Sequence, residues 1–219
     1  MIKNDFLEKM IEQISDAITT ITGLKGKTAF KDAHESIKEA LKQFFGLNPK
    51  SIETLQSKSL IDIVTGGDKN NNVKALLLGD LIKEQGDLYR EEGKEKEALS
   101  TYIKSITILS EVMIEDDTVR EERYILKVNE IEEILSNYHL PIDTTLMLIK
   151  YYESIGVFDK SEDLLYDILD DSNYNKDIVS FGLDFYNRLL KLDDETLENG
   201  NLPRNEVEDA LEGLLESLK

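Results

Sequence analysis

Gly86-Asp87-Leu88-Tyr89, then Gly93, then Ala98, Tyr102 and Ser105 form the stretch, within residues 79–112, whose reading decides the fold. Apolar residues around it recur at spacings of three and four, the period of a helix, without the alternation of a strand. Gly93 interrupts that period once, as the turn of a helical hairpin does. Gly86 and Ala98 are small enough to let two helices approach closely, and Tyr89 and Tyr102 fill the space beside them. Such a pair cannot cover its own apolar face, so further pairs stacked on it are expected.

A second copy fits residues 142–175, where Leu148, Tyr152, Gly156, Phe158, Ser161 and Leu165 fall at matching offsets while Thr145, Ile149 and Ile168 depart from them. A half-copy lies in Phe30-Lys31-Asp32-Ala33-His34-Glu35-Ser36-Ile37-Lys38-Glu39-Ala40-Leu41, as the second helix of a pair whose first helix spans 3–22. These units resemble the tetratricopeptide repeat, with Ile82 in place of its tryptophan and Ser110 where proline often ends the unit. The resemblance implies an all-α fold, a tetratricopeptide-like α-α superhelical array of antiparallel helix pairs, with a groove lined by the first helix of each pair. The opening Lys3–Gln13, with Glu39-Ala40-Leu41, Phe45-Gly46-Leu47 and Gly86 to Ala98, also resembles an uncharacterised Firmicutes family of helical proteins. That resemblance covers about the first half of the chain. It implies a bacterial cytoplasmic origin and no activity.

The periodicity predicts helices at 3–22, 29–46, 51–64 (broken near Ser59), 72–92, 95–113, 118–139, 142–155, 158–171, 174–191 and 204–218. Pro49, Pro141 and Pro203 each stand next to the start of one, where the missing N–H costs nothing. Thr65-Gly66-Gly67-Asp68-Lys69-Asn70-Asn71-Asn72 and Asp193 to Pro203 have the composition of flexible connections. The organisation read from this is an N-terminal helical segment with a half-repeat at 1–64, a tetratricopeptide-like array at 74–192 and a capping helix at 203–219, stacked as one continuous unit. Asn205 is expected to cap the last helix, which either closes the array or folds back into the groove.

Among 219 residues, 40% are hydrophobic and 32% charged, a balance that folds rather than one that stays disordered. There is no Cys, hence no disulfide, thiolate nucleophile or Cys-type zinc site. The net charge of −19 is uneven: residues 1–50 hold 8 Lys and Arg against 7 Asp and Glu, and the remainder holds 18 against 38. So acidic a surface repels phosphate backbones and anionic lipid, which excludes nucleic acid and membrane as expected partners. No basic leader and no membrane-length apolar run is present, so the expected location is the cytoplasm.

Familiar catalytic patterns fail on their own chemistry. Gly23-Leu24-Lys25-Gly26-Lys27-Thr28 imitates the end of a phosphate loop, but Ile21 stands where its first glycine belongs and no strand precedes it. Asp171-Ser172-Asn173-Tyr174-Asn175 opens like a calcium loop, yet Lys176 and Gly182 occupy its glycine and bidentate-glutamate positions, which leaves a turn and an N-cap. His34 and His139 are not paired on a helix face, so neither a metal nor a cofactor is expected. The expected function is non-catalytic protein or peptide binding, with a structural oligomer subunit or a carboxylate-based enzyme as alternatives. Groove-facing offsets select Lys83, Asp87 and Arg90 in one pair and Leu146 and Lys150 in the other. The stripe Leu7, Ile11, Ile14, Ile18 and Ile21, with Phe6 and Met10 beside it, either covers the helix at 29–46 or forms a homodimer through the N-terminal helix.

Overall fold

Every regular element among the described residues is a helix in the computed structural model, which describes residues 2–25 and 29–217, with side chains from residue 8 onward. Gly26, Lys27 and Thr28 of the stretch that imitates a phosphate loop, and the Leu7 side chain of the N-terminal stripe, lie outside the described residues. No described helix is long and apolar enough to cross a membrane. The chain divides into two compact units, Met1–His139 and Leu140–Lys219.

The first unit contains α1 (Ile2–Lys25), α2 (Phe30–Phe45), α3 (Pro49–Thr54), α4 (Ser57–Thr65), α5 (Asn72–Glu91), α6 (Glu95–Glu115) and α7 (Glu122–Leu135). Helix α5 is its centre, packed against α1, α2, α4, α6 and α7. Its residues Leu76, Leu77, Leu78, Leu81, Ile82 and Leu88 point around most of its circumference, and all are buried. A helix apolar on all sides is stable only when enclosed, and each such side chain contributes roughly 1.5–3 kcal/mol on burial. Ile14 and Ile21 of the N-terminal stripe are buried, Ile11 and Ile18 half-buried, where α1 lies on α2 and α5.

The second unit contains α8 (Ile142–Ser154), α9 (Phe158–Asp171), α10 (Lys176–Leu189), α11 (Asp194–Asn199) and α12 (Arg204–Glu216). Its core joins Leu165, Leu169, Phe185, Tyr186, Leu197 and Val207, among others. Asn175 caps α10 by accepting from the Asp177 N–H at 2.9 Å, so the calcium-like stretch is the turn and cap its chemistry allowed.

The α5–α6 and α8–α9 hairpins turn in the same way. Gly93 (φ +72°) and Gly156 (φ +77°) occupy the left-handed position after the first helix. Lys94 N–H donates to Tyr89 O and Gly93 N–H to Arg90 O, at 2.9 and 3.0 Å; Val157 N–H donates to Tyr152 O and Gly156 N–H to Glu153 O, at 2.9 and 3.2 Å. Both are the paired 6→1 and 5→2 bonds that satisfy the last carbonyls of a helix, and they require a residue that tolerates positive φ. Within each hairpin a serine of the second helix donates to a carbonyl of the first: Ser105 to Gly79 O at 2.7 Å, Ser161 to Ile149 O at 3.1 Å.

Four expectations are corrected. The helix expected over 51–64 breaks at Leu55–Gln56, because the Lys104 ammonium of α6 donates to the carbonyls of Ile52, Glu53 and Leu55 and so satisfies the open end of α3. The Thr65–Asn72 stretch is a structured corner: Asn71 donates to Thr65 O at 2.9 Å and Asn72 to Asp116 at 2.9 Å, and α4 packs on both α5 and α6. The stretch from Asp193 to Pro203 contains α11, started by the Asp193 carboxylate accepting from the Thr196 N–H at 2.8 Å. It is docked rather than loose, since Leu197 and Leu202 are buried and Gly200 O accepts from the Phe158 and Asp159 N–H groups at 3.1 and 3.2 Å. Finally, Asn205 caps nothing; α12 begins at Arg204 after Pro203.

Helix α12 packs on α10 and buries Val207 and Leu214, which makes it a cap on the second unit. Deleting residues 200–219 removes Leu202, Val207 and Leu214, each worth about 2–3 kcal/mol, against a total domain stability of about 5–15 kcal/mol. The truncated chain is therefore expected to lose the cooperative unfolding of α8–α10 and to bind a hydrophobic dye, as followed by circular dichroism and dye fluorescence. A truncated chain with an unchanged melting curve would mean that α12 is an appendage.

Candidate functional site

Buried positions of α5 include four polar residues, Lys83, Glu84, Gln85 and Asp87, where an enclosed helix normally carries apolar ones. Three of them are satisfied by ion pairs. Asp87 Oδ2 accepts from Lys83 Nζ at 2.9 Å and from Lys25 Nζ at 3.0 Å, and its Oδ1 accepts from the Tyr102 hydroxyl at 2.7 Å. Lys25 also donates to Glu84 at 2.7 Å, Thr22 joins Glu84 at 3.1 Å, and Lys83 pairs with Glu130 of α7. The cluster thus ties α1, α5, α6 and α7 together. Burial opposes the Asp87 charge, but Lys83, Tyr102 and Lys25 outweigh it and hold the carboxyl below the usual carboxylate range. Burial likewise works against Lys25 and Lys83, and the carboxylates beside them raise both above the ordinary lysine value. Gly86 fits against Tyr102: a Cβ there would stand 2.8 Å from two of its ring carbons.

Of the residues expected in a groove, Lys83 and Asp87 are therefore paired with each other and only 5% and 8% exposed. Arg90 is exposed, its guanidinium 6.0 Å from the centre of the Tyr102 ring. Leu146 is half-buried against the core of the second unit, and Lys150, one turn further on α8, is exposed with its ammonium 5.8 Å from the Phe181 ring centre.

A cleft of about 420 Å³ opens elsewhere in the first unit, between α2, the start of α3 and α5. Lys31, His34, Glu35, Ile37 and Lys38 of α2 form one wall, Pro49 an edge, and Gln85, Tyr89 and Glu92 the other wall. His34 Nε2 lies 2.8 Å from Glu92, which also accepts from Lys94 at 3.0 Å; burial works against the Glu92 charge, yet these two partners hold its carboxyl below the usual range. Gln85 is 3% exposed; its Nε2 donates to the Tyr89 hydroxyl at 3.1 Å, and its Oε1 has no partner. Gln85 and Lys31 escaped the sequence reading as site residues, and Tyr89 entered it only as a space-filler, because the repeat pattern scores small and aromatic positions and is blind to a buried amide.

The second unit has its own cleft, of about 460 Å³, lined by Glu162, Glu206, Asp209, Tyr166 and Tyr174. Glu162 accepts from the Tyr186 hydroxyl at 2.7 Å, and burial, with repulsion from Glu206 and Asp163, pushes its carboxyl up. No group of three His, Cys, Asp or Glu that could hold a metal ion occurs among the described residues.

These features define an all-helical protein organised around helical hairpins, with a buried ion cluster and two open clefts. Over residues 1–219 the chain belongs to the DUF6483 family, a family of unknown function. No curated protein and no solved structure matches it.

Removing one partner of a buried pair strands the others, typically at a cost of 3–5 kcal/mol. Asp87→Asn is expected to cost about that much at pH 7, read by urea denaturation. A carboxyl whose folded value is depressed stabilises the fold above its unfolded value and loses that contribution as pH falls through the folded one. The wild-type advantage over Asp87→Asn should therefore be full at neutral pH and shrink below the ordinary carboxylate range. An advantage unchanged between about pH 7 and about pH 2 would contradict the ionised hub, because the lower pH lies below the ordinary aspartate value of about 3.9, where the unfolded chain already takes up the proton.

Proposed function

We propose that the chain is a non-catalytic, protein- or peptide-binding adaptor of the cytoplasm, built as a tetratricopeptide-like array of helix pairs. The observation that carries this reading is the matched pair of hairpins, which share a glycine turn, the same two capping bonds and a serine-to-carbonyl bond across the pair. A repeated supersecondary unit of this kind yields extended surfaces rather than a single closed chamber, and such surfaces serve recognition. Arg90 in the first unit and Lys150 in the second are the exposed members of the expected set, each a proposed contact on the surface of its own unit, while Lys83 and Asp87 are buried in the scaffold of the first unit.

Mass measurement of the full chain, isolated gently from the cells that make it, tests the reading. A complex with a second protein at fixed stoichiometry is expected. Arg90→Glu with Lys150→Glu should weaken that complex several-fold at unchanged melting temperature, since both side chains are exposed. A chain found only as a monomer would contradict the adaptor, and one found only as a self-assembly would favour a structural subunit.

A further inference from the structure

We infer that the cleft of the second unit, between α9 and α12, receives an arginine side chain from an extended segment of a partner protein. The inference rests on the adaptor reading, since it supposes such a partner, and it gives that partner a chemistry.

Exposed rings and open space shape the cleft. Glu162 and Tyr166 stand four apart on α9, and Glu206, Asp209 and Gly213 recur at three and four on α12, so each set shares one helix face. Tyr166 and Tyr174 are 41% and 42% exposed, which puts two of the chain's large exposed side chains at one cleft. Gly213 supplies the space. Gly79, Gly86 and Gly182, also inside helices, each face a side chain that a Cβ would strike at 2.8 Å, whereas a Cβ on Gly213 would meet nothing within 4 Å. Glycine weakens a helix interior, and no packing contact requires it here. What the missing side chain leaves is room on the cleft wall.

The charge of the cleft is one-sided. Glu162, Glu206 and Asp209 line it without a lysine or arginine, and none of the three has an ion pair among the described residues. Arg188 and Arg204 of the same unit are spent on Glu153 and Asp194. Glu162 accepts from Tyr186 with one oxygen, and its other oxygen has no hydrogen-bond partner among the described residues. Glu206 and Asp163 act on that carboxyl by repulsion, and no base offsets them. Residues 140–219 as a whole hold 7 Lys and Arg against 19 Asp and Glu, so the surroundings do not supply the missing cation.

These features select an organic cation. No three acidic side chains among the described residues converge as metal ligands do, so the carboxylates surround the space instead of meeting at a point. A guanidinium suits that arrangement: its five N–H donors spread in a plane, reach carboxylates on separate walls, and leave a flat face to stack on a tyrosine ring. A compact ammonium reaches fewer of them at once. The volume of about 460 Å³ takes such a side chain together with the backbone that carries it.

Titration of the full chain with the blocked peptide acetyl-Gly-Gly-Arg-Gly-Gly-amide, followed by backbone amide chemical shifts, tests the assignment. Shifts centred on residues 162–174 and 206–214 are expected. The same peptide with citrulline for arginine, close in shape but neutral, should bind about tenfold more weakly or worse. Gly213→Leu should lose the peptide while melting at the same temperature or higher, since leucine is the better helix former and enters open space. Glu206→Gln with Asp209→Asn, both exposed, should lower the affinity about tenfold at unchanged melting temperature. Shifts scattered over the acidic surface, equal binding of the citrulline peptide, or binding that survives Gly213→Leu would each overturn the inference. Spermidine or calcium chloride binding the cleft as tightly as the peptide would also overturn it, by making the cleft a small-cation site. A native partner complex that survives Gly213→Leu would overturn this inference and leave the adaptor standing. Peptide binding that Gly213→Leu abolishes, in a chain with no native partner, would keep the arginine cleft and remove the adaptor.

Discussion

The carboxylate of Asp87 is the contact on which the first unit depends. It accepts from two lysines and a tyrosine that come from α1, α5 and α6, and through Lys83 it reaches Glu130 of α7. Helix α5 must be enclosed to bury its leucines, and the helices that enclose it also cover its polar residues. Once covered, those residues have to be paired, because an uncompensated charge in low dielectric costs far more than a hydrogen bond returns. Carboxylates outnumber ammonium groups in the cluster, and the half-exposed Glu130 leaves the excess charge at the water boundary.

Such clusters add little net stability compared with a well-packed apolar core, and they are costly to break. Their effect here is geometric. Only one rotation and one axial position of α1 and α7 bring Lys25 and Glu130 onto the polar face of α5, so the pairing fixes how these helices sit. Gln85 lies on the opposite side of α5, toward α2, and its Oε1 is a buried acceptor that no neighbour completes.

The fold was legible where local chemistry determines it. Gly93 and Gly156 mark turns that demand positive φ, and the three-and-four spacing marks helices whatever packs on them. Legibility failed where a distant partner decides. Lys83 and Asp87 look like a solvated helix face until Lys25 and Glu130, many residues away, are placed over them. Helix α11 is a single short turn of Asp, Glu and Asn whose order comes from two buried leucines and a carbonyl shared with α9, so its composition reads as a loop. The Gly- and Asn-rich corner before α5 reads as a boundary for the same reason, although its asparagines are spent on carbonyls and a carboxylate. The cleft itself left one trace in the sequence, the near-balanced charge of residues 1–50 beside a strongly acidic remainder.

A double-mutant cycle between Lys25 and Asp87, using Lys25→Met and Asp87→Asn and urea denaturation of all four chains, tests the central claim most directly. Residues sharing one buried network couple by roughly 0.5–3 kcal/mol, and the account places this pair in the upper half of that range. Costs that add to within about 0.3 kcal/mol would mean that α1 and α5 do not share the charge, and that Asp87 is not what holds them.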